Sequence, residues 1–112
     1  MLNKIEKSKS KIEEYKYFLN GNILHLEDIE NLLNIIKYEG KTEQNKDSIK
    51  ELLESIDSTY INHAYKIKTD EEMIVFLKEE IKLTKQRIRK YKNKIKKEMQ
   101  NLMILEGDCI KF

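Results

Sequence analysis

The chain has 112 residues, of which 39% are hydrophobic and 38% charged, with no Pro and three Gly. That balance is too charged for a thick globular core and suits long helices that each bury one stripe. The formal net charge of +2 assigns no partner, and the longest apolar runs, within Met73–Leu77 and across Leu102–Leu105, are far too short to span a membrane.

The lysine-rich start (Lys4, Lys7, Lys9, Lys11) holds no apolar stretch of signal-peptide length. The single cysteine, Cys109, cannot form an intramolecular disulfide. A reducing, cytoplasmic setting is therefore expected. Heavy use of Lys, Ile, Asn and Glu points to an AT-rich genome, such as a low-GC bacterium or its phage.

Ile5, Ile12, Leu19, Leu26 and Leu33 recur every seven residues, which is two turns of helix, and form one narrow apolar seam. Three residues after each stand Ser8, Tyr15, Asn22, Ile29 and Ile36, while Phe18, Ile23 and Leu32 widen the stripe. The spacing predicts a helix over 2–38. Asn20-Gly21-Asn22 lowers its stability by roughly 2 kcal/mol in sum, yet the seven-residue register crosses it without a slip, so the helix is expected to continue, straight or kinked, with a true turn making two shorter helices as the alternative.

Glu39 to Asp47 contains no aliphatic residue and reads as the main loop. Ser48-Ile49-Lys50-Glu51 has the form of a capping box, and a second helix over 49–67 would bury Ile49, Leu52, Leu53, Ile56, Tyr60, Ala64 and Ile67. Thr69-Asp70-Glu71-Glu72 offers another box, opening a third helix over 70–106 with Ile74, Ile81, Ile88, Ile95 and Leu102 as its seam. Leu53, Tyr60 and Ile67 share the phase of that seam, so one helix over 49–105 is the rival reading. Gly107 is expected to end the last helix in a left-handed cap, leaving 107–112 as a tail.

The predicted fold is all-α, a single helical domain over 1–106: an elongated antiparallel coiled-coil-like bundle of three helices folding up, down and up. A two-helix hairpin completed by dimerisation is the runner-up. Charge favours the bundle. Leu26 to Glu80 carries fourteen acidic and seven basic residues, whereas Ile81 to Lys97 carries nine basic and none acidic. Three helices would set that basic run beside Glu27, Asp28 and Glu30, with Asp47, Glu51 and Glu54 as further neighbours.

The basic run is the sharpest candidate site: Lys82, Lys85, Arg87, Arg89, Lys90, Lys92, Lys94, Lys96 and Lys97. It could neutralise a nucleic-acid backbone or an acidic protein partner, or serve as a solvated face matched by the acidic middle of the chain. Lys outnumbers Arg, so base reading is poorly provided for. Adhesion to an anionic membrane surface is the less favoured use. A second candidate is a protein interface formed by Leu102, Met103, Ile104, Leu105, Ile110 and Phe112, which could instead be helix-end packing under the Glu39 to Asp47 loop.

His25 and His63 flank or join seam positions and are expected to be structural, since neither has ligands at useful spacing. Cys109 lacks a His partner, and Glu71-Glu72 and Glu79-Glu80 point about 100° apart on a helix, so neither pair converges. There is no glycine-rich phosphate loop. No catalytic residue, metal or cofactor is expected.

These readings converge on a non-enzymatic helical protein-interaction module, for which a homodimer is one form. In a phage or mobile element it would regulate or inhibit a host macromolecule, such as a defence nuclease, by occluding it. A nucleic-acid-binding regulator using 81–97 and a structural self-assembly module are the alternatives.

Overall fold

The computed structural model describes residues 2–110, with side chains placed for residues 3–107. Helix is the regular structure throughout those residues: α1 (Leu2–Tyr38), α2 (Lys46–Ile56), α3 (Thr59–Ile67) and α4 (Asp70–Ile110). The chain divides into two compact units. Unit 1 combines Met1–Ile23 with Gln86–Phe112, and unit 2 is Leu24–Lys85.

Unit 2 holds the larger core. Ile29, Leu32 and Ile36 of α1 meet Ile49, Leu53 and Ile56 of α2, Ile61 and Ala64 of α3, and Met73 and Leu77 of α4. These spacings of three and four residues are the stripe that a helix buries. Ile74 and Ile81 of the expected seam are only half-buried. Met73, Leu77 and Thr84 lie deepest on α4. Two neighbouring helices, α2 and α3, supply contacts that a two-stranded seam would not have, and the buried stripe shifts accordingly.

The middle helix expected over 49–67 is two helices, and the reason is local. Asp57 adopts the left-handed conformation (φ 48°) and its N–H bonds the Leu53 carbonyl, closing α2. Ser58 then caps α3, its hydroxyl accepting from the Ile61 N–H at 3.3 Å. Asp is among the residues that tolerate a left-handed backbone, and Ser is a preferred helix cap. The break brings Ile61 into the core beside Ala64, which is buried as expected, while Tyr60 and Ile67, also expected inside, are each 65% exposed.

The start of α2 also differs from expectation. Ser48 lies inside α2, which begins at Lys46. The loop before it is organised by buried Asn45, whose Nδ2 donates to the Gly40 carbonyl at 2.6 Å. Its Oδ1 accepts from the Thr42 N–H at 3.0 Å. Gly40 turns the chain out of α1 at φ +73°. The box at the start of α4 forms as expected: the Thr69 N–H donates to Glu72 Oε1 at 3.0 Å, and the Glu72 N–H donates to Thr69 Oγ1 at 3.2 Å.

Unit 1 is an antiparallel pair. Ser8 Oγ donates to the Glu98 carbonyl at 3.4 Å, the Tyr15 and Tyr91 rings lie 6.3 Å apart, and Arg87 Nε donates to Asn22 Oδ1 at 3.0 Å. Partner numbers fall along α4 as they rise along α1, which fixes the direction. Ile5, Ser8 and Ile12 are buried, with Leu19, Ile88, Ile95 and Leu102 half-buried around them. α1 runs unbroken through Asn20-Gly21-Asn22. There Asn22 Nδ2 donates to the Phe18 carbonyl one turn back, at 2.8 Å, and its oxygen is held by Arg87, so its polar ends are satisfied without leaving the helix. Gly107, expected to end α4, lies within it. Glycine permits a left-handed cap but does not impose one, at about 1 kcal/mol relative to Ala when it stays helical.

Candidate functional site

The basic run is divided between the two units: Lys82 and Lys85 belong to unit 2, and Arg87, Arg89, Lys90, Lys92, Lys94, Lys96 and Lys97 to unit 1. All are exposed except Lys94, whose Nζ sits 5.4 Å from both the Tyr15 and the Tyr91 ring centroids. Cation–π contact thus holds one lysine against the helix pair, and Arg87 is held by Asn22.

The acidic neighbours expected for this run are not its neighbours in unit 1. Glu27, Asp28 and Glu30 lie in unit 2, where Asp28 Oδ2 accepts from Ser55 Oγ at 2.7 Å. The segment paired with 86–107 is the start of α1, which brings Lys4, Lys7, Lys9, Lys11 and Lys16. Unit 1 therefore carries thirteen basic and six acidic residues, a formal net of +7, and unit 2 nine basic and fourteen acidic, a net of −5. Among the described residues, ion pairs join Lys16 to Glu13 at 4.0 Å and Lys41 to Asp70 at 3.9 Å, and neither engages the basic run.

The lysines of α1 are the part of the site that sequence reading missed. Their signal was present in the two heptad seams, since antiparallel seams set Ile5 near Leu102 and so bring Lys4 to Lys11 to the end of the basic helix. There Lys4, Lys7, Lys11, Ser8, Glu98, Asn101 and Leu105 line an open groove of about 300 Å³. Its one carboxylate, Glu98, accepts from Asn101 Nδ2 at 3.3 Å. The groove is cationic and suits an anion. A second groove, about 380 Å³, lies in unit 2 over Ile49 and Leu53, with Lys46, Lys50 and Lys66 on its rim.

Of the expected apolar interface, Met103 and Ile104 are exposed, at 72% and 63%, and Leu102 and Leu105 are half-buried within unit 1. Leu105 packs beside the Lys4 to Lys11 stretch. The Ile110 side chain, Phe112 and the Cys109 thiol lie outside what the structure describes. His63 is exposed rather than seam-packed, and His25 is half-buried. Among the described residues no three His, Cys, Asp or Glu side chains converge on one point, and no helix is long and apolar enough to cross a membrane. No protein-family model, curated protein or solved structure matches the chain.

Proposed function

We propose that the protein is a non-enzymatic binding protein that lays a nucleic-acid phosphate backbone along unit 1. The pairing of two lysine-rich helical segments, which gives unit 1 its net +7, carries this reading. Holding so many like charges together costs free energy, and a polyanion recovers it by neutralisation and counterion release. A partner with one small acidic patch would engage only a fraction of cations that are spread over both helices. Lys predominates, and Arg87 is already bound to Asn22, so the contact is with phosphates and carries little sequence preference.

The test is fluorescence anisotropy of labelled DNA and RNA, single- and double-stranded, at stepped salt. About six phosphate contacts give a slope of log K against log salt of roughly −5. Replacing Arg89, Lys92 and Lys96 by Glu abolishes binding, and replacing Lys66 and Lys78 of unit 2 by Glu leaves it within about two-fold. Absence of binding at low salt, or a slope near zero, overturns the proposal.

A further inference from the structure

Two stripes on α4 have the same spacing and opposite chemistry. In unit 1, Lys92, Lys96, Met99 and Met103 follow one another at intervals of four, three and four residues, which places them on one helical face. The two lysines are exposed, as are Met99 at 48% and Met103 at 72%. In unit 2, Glu72, Phe76, Glu79 and Leu83 repeat those intervals. Leu83 is exposed, as is Val75 next to Phe76, and Phe76 is half-buried with the exposed Tyr60 ring 5.1 Å from it. Each stripe covers twelve residues, about 16 Å of helix between its ends.

We propose that a second copy of this chain occupies these surfaces, the Lys92–Lys96–Met99–Met103 stripe of one copy lying antiparallel on the Glu72–Phe76–Glu79–Leu83 stripe of another. Charge complementarity selects the occupant: the first stripe belongs to the unit of net +7 and the second to the unit of net −5. Each stripe also leaves apolar side chains in water, and pairing the stripes brings Met99 of one onto Phe76 of the other. Direction follows from Glu72, whose Oε1 already accepts from the Thr69 N–H. Glu79 is then the carboxylate left to pair, and the antiparallel register sets it opposite Lys96 with Met99 against Phe76 and Tyr60. The contact joins unlike surfaces, so it closes a ring or extends a chain of copies.

Sedimentation velocity of the full chain, freed of nucleic acid and run over a range of concentrations, tests this independently of the phosphate-backbone reading. At low salt the average mass rises with concentration, and at about 1 M salt, where the screening length is about 3 Å, association is lost. Lys96→Glu and Glu79→Lys, both at exposed positions, each move the association midpoint to roughly ten-fold higher concentration, and the chain carrying both returns to the wild-type midpoint. A wild-type chain of monomer mass throughout, or a double variant weaker than either single one, overturns the proposal.

Discussion

Lys41 reaches Asp70 at 3.9 Å, and on the way it closes the end of α3. Its Nζ donates to the Lys68 carbonyl at 2.6 Å and the Tyr65 carbonyl at 3.0 Å, oxygens that the end of a helix leaves without a donor. The same ammonium stands 4.6 Å from the Tyr65 ring centroid. One side chain from the first loop thus ties down the α3–α4 turn, and a cation there also opposes the dipole of α3.

Lys41→Met keeps the aliphatic stem and removes the donors, leaving two carbonyls partly sheltered. The expected loss is about 1–3 kcal/mol, read as a lower urea midpoint at unchanged slope. Asp70→Asn costs less, about 0–1 kcal/mol, because the Asp70 side chain is 44% exposed and its ion pair is screened by solvent. An Asp70 loss larger than the Lys41 loss would show that the ion pair, not the helix end, is what matters.

The helix break at Asp57-Ser58 is tested by two isoleucines six residues apart. Ile61 is 1% exposed and Ile67 65%. Ile61→Ala removes a packed core side chain and costs about 2–5 kcal/mol, whereas Ile67→Ala stays within about 0.5 kcal/mol. A continuous helix over 49–67 in the phase of Leu53, Tyr60 and Ile67 requires the opposite order, so a thermal melt of each variant decides.

That break explains which parts of the structure were legible in the sequence. α1 and the Thr69–Glu72 box were readable because long periodic patterns and capping pairs are local signals, whereas the seam of α4 shifts to Met73, Leu77 and Thr84 in unit 2. Asp57-Ser58 was not, because Leu53, Tyr60 and Ile67 keep an apparent register across it, and a two-residue turn leaves no gap in a hydrophobic count. The error propagated. Three helices make the last run in the direction of the first, and a fourth reverses it. The reversal placed seven of the nine basic residues in one unit with Lys4 to Lys16, while Lys82 and Lys85 share the other unit with Glu27, Asp28 and Glu30, so an expected neutral match became a cationic unit. Direction depends on the number of turns, so one missed turn was enough to change the partner of the candidate site.

Acid and base act on the two sides of one helix junction, between α3 and α4. The Glu72 carboxyl lies below its usual range because it accepts from the Thr69 N–H and caps the start of α4, with smaller help from nearby Lys68 and Lys41. A lowered folded pKa means stability that is present above the ordinary carboxylate range and lost as pH falls through it. Burial, and then the Asp70 charge, raise the Tyr65 hydroxyl above 10.0. Here the unfolded chain ionises first, so stability is intact below that value and declines as pH rises past it. Glu72→Gln and Tyr65→Phe are expected to flatten the acid and alkaline limbs of a stability–pH curve respectively. Either limb persisting unchanged in its variant assigns it to other groups.

Charge also makes the two units respond differently to salt. Unit 1 combines a net +7 with few buried side chains among the described residues, Ile5, Ser8 and Ile12, whereas unit 2 has a ten-residue apolar core. Amides of residues 3–20 and 89–105 should therefore exchange with solvent faster at low salt than those of residues 29–36 and 73–80, since opening costs least where packing is thin and like charges repel. Added salt screens the repulsion and narrows the difference. Lys11→Glu, at an exposed position facing the basic helix, should slow exchange in unit 1 about two-fold, as expected for an exposed pair of about 0.5 kcal/mol. Exchange in unit 1 that is slower than in unit 2 at low salt, or unmoved by salt, would mean that its lysines are held without mutual strain, and the physical basis for its recruiting a polyanion would be gone.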